Sequence, residues 1–171
     1  EFSSLKSTGG TVADLMNNVF DPSVTIEDVR WLRASWHGKL IIKGVQSVDD
    51  AEMLLGEGVD AILLSNHGGR QLDRAVVPLE LLPQVRARIG SAPEVLIDGG
   101  AMCGADVVAA VALGATGVMM GRAYLYGLMA GGEPGVRRAA TILKTEVEQA
   151  MRLMGVRTLS ELSPAMVKMR G

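Results

Sequence analysis

His67 and Arg70 stand three residues apart across a glycine pair in "SNHGGRQLD" (65–73), and together they could run proton chemistry on a molecule carrying a carboxylate. An imidazole changes charge near neutral pH, so it can take a proton under physiological conditions. A guanidinium grips a carboxylate through two parallel N–H bonds. A substrate with a carboxylate beside an acidifiable group would use both at once. Taken singly, His67 reads as a hydrogen-bonded loop histidine and Arg70 as a surface ion pair; the joint spacing is what favours chemistry.

Other polar residues end apolar runs in the same way. Lys43 closes "KLIIKG" (39–44), where a fixed ammonium among apolar neighbours calls for an anionic or electron-rich partner, or else snorkels to water. Ser65 and Asn66 precede the histidine at the end of "DAILLSNHGG" (60–69). "EVLIDGG" (94–100) ends in Asp98, Gly99 and Gly100, and "GVMMGR" (117–122) ends in Gly121 and Arg122. Glycines let backbone amides approach an anion, a following helix N-terminus adds its dipole, and Arg122 adds full charge. These two endings therefore read as phosphate-holding, with ordinary tight turns as the plainer alternative. "GGAMCG" does not match the G-x-G-x-x-G dinucleotide fingerprint.

Two rival constellations fall away. Ser65, His67 and Asp73 lack a G-x-S-x-G elbow, and residues so close in sequence rarely converge as a hydrolytic triad. A metal site on His67 and Asp73 lacks further ligands, because His37 lies in a distant segment and Cys103 is the single cysteine, so no metal is expected.

The elements that must position these residues follow from periodicity. The four runs are apolar on both alternating faces and read as parallel strands buried on both sides. Helical patterns separate them. "SVDDAEMLLGEG" has Ser47 as N-cap, acids in its first turn, and Ala51, Leu54 and Leu55 on one face. "PLELLPQVRARIG" carries Leu79, Leu82, Val85 and Ile89 at near-helical spacing, with Pro83 expected in the first turn or at a kink. "GADVVAAVALGA" is a small-residue helix closed by Gly114. "EPGVRRAATILKTEVEQAMRLMG" is expected to start at Pro134 and stop at Gly155, and "TIEDVRWLRASW" is an amphipathic segment in front of the first strand. Strand then helix, four times over, means right-handed crossovers and a parallel sheet. A closed (β/α)8 barrel needs about 250 residues. With half the strands in 171 residues, half of such a barrel explains the composition better than an open four-stranded sheet. In parallel α/β folds, reactive groups gather at the C-terminal strand ends, so the polar endings would share one mouth.

The composition fits this reading. The chain is 48% hydrophobic with a net charge of −2 and interspersed charges, which gives no footprint for nucleic acid and points to a small-molecule partner. A single cysteine cannot form an internal disulfide, no apolar stretch reaches about 18 residues, and the ten methionines read as core filler. The expectation is a cytoplasmic, single-domain chain over 1–171. Its first twenty residues read as a loop or linker within a longer sequence.

On the motifs "IIKGV", "SNHGGRQLD", "LIDGG" and "GRAYLYG", in that order and spacing, the chain resembles the C-terminal half of the FMN-dependent 2-hydroxy-acid dehydrogenases and oxidases. The likeness runs from "VFDPSVTIEDVRWLR" onward, and "SNHGGRQLD" is its most specific part. The resemblance implies a TIM (β/α)8 barrel of the FMN-linked oxidoreductase type, with this chain supplying about the C-terminal half. It implies FMN as cofactor and oxidation of an (S)-2-hydroxy acid, with L-lactate to pyruvate as the first expectation from "GRAYLYGLMAGGEPGV" and "VFDPSVT". It further implies His67 as base, Arg70 as carboxylate clamp and Lys43 beside the flavin pyrimidine. Ser65 would touch the flavin, and Asp98, Gly99, Gly100, Gly121 and Arg122 would hold ribityl chain and phosphate. Proton removal from the hydroxyl with hydride transfer, and removal of the alpha proton through a carbanion, are both compatible with this set.

Two departures stand out. Met102 occupies a position where many members have arginine, so Arg122 and amides would replace that contact. The family's N-terminal half, which carries pocket tyrosines and an aspartate that orients the histidine, has no counterpart in these residues; a separate or missing chain is expected to supply it. The resemblance also implies a homotetramer and leaves open a peripheral membrane or quinone contact. The rival expectation is a non-catalytic half-barrel that binds flavin phosphate or a partner chain without performing chemistry alone.

Overall fold

The computed structural model describes residues 21 and 23–169, so the expected loop at 1–20 lies outside the described residues. Thr25 opens helix α1 (Ile26–Ser35) with a capping box to Asp28, whose Oδ2 accepts the Thr25 amide at 2.7 Å. Strand β1 (Ile41–Val45) follows, and then helix α2 (Val48–Gly56), where Ser47 Oγ accepts the Asp50 amide at 3.0 Å. Strand β2 (Ala61–Leu64) leads through a turn at His67–Gly69 to helix α3 (Pro78–Ile89). Strand β3 (Glu94–Ile97), helix α4 (Gly104–Ala112), strand β4 (Gly117–Val118) and helix α5 (Arg122–Met154) complete the order.

The strands form one parallel sheet in the order β1-β2-β3-β4, the sequential order that repeated right-handed crossovers produce. Side chains alternate across it. Ile62, Leu64, Val95 and Ile97 face the helices and join Leu54, Leu82, Val85 and Ala110 in one buried core. The alternate row, Lys43, Leu63, Leu96 and Gly117, pairs in register on the other face.

That other face corrects the expectation of strands buried on both sides. β2 is buried throughout, but Ile41 of β1 is 47% exposed and Lys43 and Gly44 are exposed. Among the described residues no helix covers this face; α1 to α4 contribute side chains to the core on the first row, and α5 packs against α4. The methionines correct a second expectation: none of those described belongs to the buried core, and Met119, Met129 and Met53 are exposed.

Two helices also differ from their sequence reading. α3 runs through Pro83 at its sixth residue, because burial of Leu81, Leu82 and Val85 on either side offsets the lost backbone bond, a cost of about 3 kcal/mol in isolation. α5 begins at Arg122, and the helix expected from Pro134 to Gly155 is its second arm. α5 breaks at Gly131 and Gly132, where the backbone leaves helical geometry, and the second arm continues through Pro134 to the left-handed Gly155. The arms approach so closely that a Cβ on Gly135 would meet the Gly127 carbonyl.

Candidate active site

The loops after β1, β2, β3 and β4 meet around a cavity of about 250 Å³ at the C-terminal end of the sheet. Lys43, His67, Arg70, Asp98, Gly99, Gly100, Gly121 and Arg122 all line it, together with Met102, Met119 and Leu125. The polar endings that the sequence scatters over eighty positions are thus brought to one place, as parallel α/β architecture requires.

Backbone geometry explains how the histidine is presented. His67, Gly68 and Gly69 take positive φ angles of 55°, 68° and 73° in succession. Glycine adopts these without penalty, whereas a histidine there costs about 1–2 kcal/mol and must be held by its surroundings. Two side chains hold it. Ser65 Oγ accepts the His67 amide at 3.0 Å, and Asn66 Oδ1 accepts the Gly68 amide at 2.9 Å. Among the described residues no hydrogen bond reaches the His67 ring, so its nitrogens are free to face a substrate.

Ser65 does not line this cavity. It is 1% exposed and lies behind the histidine, where its Oγ accepts the Lys43 ammonium at 2.7 Å as well. Lys43 also meets Asp98 Oδ2 at 2.5 Å, while Asp98 Oδ1 is buried without a partner. Sequence reasoning missed both this pairing and the role of Asn66. The signal was present, since Lys43 and Asp98 each follow an apolar run, but only the sheet order shows that one ammonium can span from β1 to the end of β3.

The helix N-terminus after "DGGAMCG" also behaves differently from the expectation of an anion site. Asp106 Oδ2 accepts the amides of Met102 and Cys103 at 2.8 and 3.0 Å, and Glu146 Oε2 from α5 accepts the Gly104 amide at 2.8 Å. Burial works against the Asp106 charge, yet those two amides hold its carboxyl below the ordinary range. Carboxylates therefore already take the two amides just before α4 and the first amide of the helix itself. α5 starts otherwise: Gly121 has no side-chain cap, and Arg122 follows it on the cavity, leaving open amides and a cation together.

The fold and this site define a parallel β/α unit with a flavin-type cavity, and the chain belongs to the FMN-dependent dehydrogenase family, which it matches over residues 3–169. A Mycobacterium tuberculosis protein named as a candidate L-lactate dehydrogenase is 58% identical over 95% of this chain and 39% of its own length. The (S)-mandelate dehydrogenase of Pseudomonas putida is 45% identical over 93% of the chain and 40% of its own length. Among solved structures, (S)-mandelate dehydrogenase, described as a monotopic membrane protein, superposes with a TM-score of 0.86 at 46% identity, covering 91% of this chain and 41% of that one. A flavocytochrome b2 variant with pyruvate bound gives 0.83 at 40% identity, covering 86% and 38%. The chain spans about two fifths of the length of the curated relatives it matches. Its four β/α units are part of a TIM barrel. No helix among the described residues is long and apolar enough to cross a membrane.

FMN is the cofactor of this family, and the residues present fit it. Three cationic side chains and one carboxylate line the cavity, which favours an anionic occupant. The orphan Asp98 Oδ1 can accept from a polyol hydroxyl, and the glycines at 99 and 100 keep the loop after β3 thin enough for close approach.

Proposed function

We propose that this chain carries the base and the carboxylate clamp for FMN-dependent oxidation of an (S)-2-hydroxy acid, with L-lactate to pyruvate as the first reaction to test. The observation that carries the reading is the convergence of His67, Arg70 and Lys43 on one cavity. Relatives named for L-lactate and (S)-mandelate support the substrate class, and the M. tuberculosis relative supports lactate.

In this reading Arg70 binds the substrate carboxylate and fixes the carbinol carbon relative to His67. An imidazole nitrogen of His67 takes a proton as the alcohol becomes a ketone. Bound FMN supplies the two-electron acceptor. Lys43 favours negative charge on the flavin ring, Ser65 fixes Lys43 and the His67 backbone, and Gly121 and Arg122, with the loop from Asp98 to Gly100, hold ribityl chain and phosphate. The same proposal takes residues 1–171 as one domain of a homotetramer whose remaining barrel strands lie outside them.

A second reading, a half-barrel that binds flavin phosphate or a partner chain without chemistry, is favoured by the open sheet face at Ile41. Intact mass and a visible spectrum separate the two. Purified protein consisting of this chain alone that stays colourless with added FMN defeats the enzyme reading for this polypeptide. Flavin that is bleached by anaerobic L-lactate defeats the binding-only reading. His67→Gln is expected to abolish bleaching while FMN stays bound; loss of the flavin as well refutes the role given to His67.

A further inference from the structure

We propose that Asp98 is a positioning residue for Lys43: its carboxylate pins the ammonium at the cavity mouth and so sets the charge that a bound flavin meets. The inference rests on the flavin reading of the cavity. Lys43 Nζ donates to Asp98 Oδ2 at 2.5 Å and to Ser65 Oγ at 2.7 Å, so one ammonium on β1 is tied to residues just beyond β2 and β3. The Lys43 side chain is 44% exposed and Asp98 only 18%. A lysine that open to water swings readily, and a neutral hydroxyl is a weak tether; a carboxylate supplies the charged one. The other oxygen of Asp98 is buried and unpartnered. A buried carboxylate left half unsatisfied is costly, and here it is retained where it holds a cation in place.

Direct charge and positioning predict opposite signs, which makes the idea testable. Removing the Asp98 charge beside a ring that gains electrons makes reduction easier. Releasing Lys43 makes it harder. In the FMN-loaded protein, Asp98→Asn is expected to lower the flavin midpoint potential through a tenfold or greater change in the reduction equilibrium, about 30 mV for a two-electron couple. The same substitution on a Lys43→Met background is expected to leave the potential unchanged or raise it, and Asp98→Glu to recover part of the loss. A rise or no change in Asp98→Asn alone, or an equal fall on both backgrounds, overturns the proposal.

A second arm needs no flavin. In the flavin-free chain, Asp98→Asn is expected to increase competitive acetylation of Lys43 severalfold relative to Lys39, read by peptide mass; unchanged labelling overturns the proposal. If the parent protein takes up no FMN, the flavin reading fails, while this arm still decides whether Asp98 holds Lys43.

Discussion

Gly99→Ala tests how the loops after β2 and β3 hold one another. Gly99 has φ +88°, and a Cβ there would lie 2.6 Å from Asn66 Oδ1 and 3.5 Å from the Gly68 amide. Something must move, and Asn66 is the movable part. Its displacement breaks the 2.9 Å bond from the Gly68 amide, one of the two that fix the turn presenting His67. A side chain at left-handed φ costs ~1–2 kcal/mol, and the lost hydrogen bond adds ~0.5–1.5 kcal/mol. The combined loss is about 2–3 kcal/mol, and urea unfolding would read it as a lower midpoint at unchanged slope. Asn66→Ala removes the obstructing oxygen and its bond together. On that background Gly99→Ala is expected to cost only the backbone part, ~1–2 kcal/mol, so that the double variant is less destabilised than the sum of the singles. Additivity of the two within ~0.5 kcal/mol refutes the clash, and a near-neutral Gly99→Ala refutes the strain as well.

Three further outcomes concern groups away from the cavity. Lys39, the Leu40 amide and Arg33 hold the Asp60 carboxyl down to about 2, below the unfolded value of ~3.9; its contribution is therefore present above about pH 4 and lost as pH falls toward about 2. Asp60→Asn is expected to flatten that stretch of an acid titration followed by circular dichroism, and an unchanged profile contradicts the assignment. Arg86→Met strips hydrogen bonds from the carbonyls of Gly114, Pro93 and Gly90; at ~1–3 kcal/mol for a buried orphaned group, a loss of at least ~2 kcal/mol should appear in denaturant unfolding. Glu146→Ala leaves the Gly104 amide unpaired and is expected to cost ~1 kcal/mol, with Glu146→Gln recovering part, since a carboxamide oxygen can still accept.

The sequence made the layout of the site legible because chemistry sits at strand ends, and strand ends are marked by the change from apolar to polar residues. That rule placed Lys43, His67, Arg70, Asp98 and Arg122 around one cavity without any contact being known. It could not reveal what depends on distance between side chains. Lys43 and Asp98 are 55 positions apart, and nothing in either run shows that one reaches the other. Nothing in the α3 pattern marks Arg86, yet it serves carbonyls on both sides of β3. The first arm of α5 was overlooked because the glycine-rich "GRAYLYGLMAGG" resembles a loop by composition. Methionine burial was misjudged because hydropathy says that a side chain seeks an apolar partner without saying whether this chain provides one.

Two helix N-termini border the sheet end where the cavity opens, and local sequence gives them different work. α4 begins at Gly104, whose amide goes to the Glu146 carboxylate, while Asp106 takes the amides of Met102 and Cys103 just before it. A second anion there would displace one of them against like-charge repulsion. α5 begins at Arg122 with no side-chain cap at Gly121, so its dipole and a guanidinium act together on the cavity side. Met102, exposed on the α4 side, brings no charge to compensate. Phosphate binding in this chain is therefore expected to depend on Arg122 far more than on the loop at 101–104. Arg122→Met should weaken FMN binding by tenfold or more, the worth of ~1.4 kcal/mol from one charge-assisted contact, whereas Met102→Leu should leave the affinity within twofold, roughly ~0.4 kcal/mol. Equal effects from the two substitutions, measured by flavin fluorescence titration, would refute the dependence on Arg122.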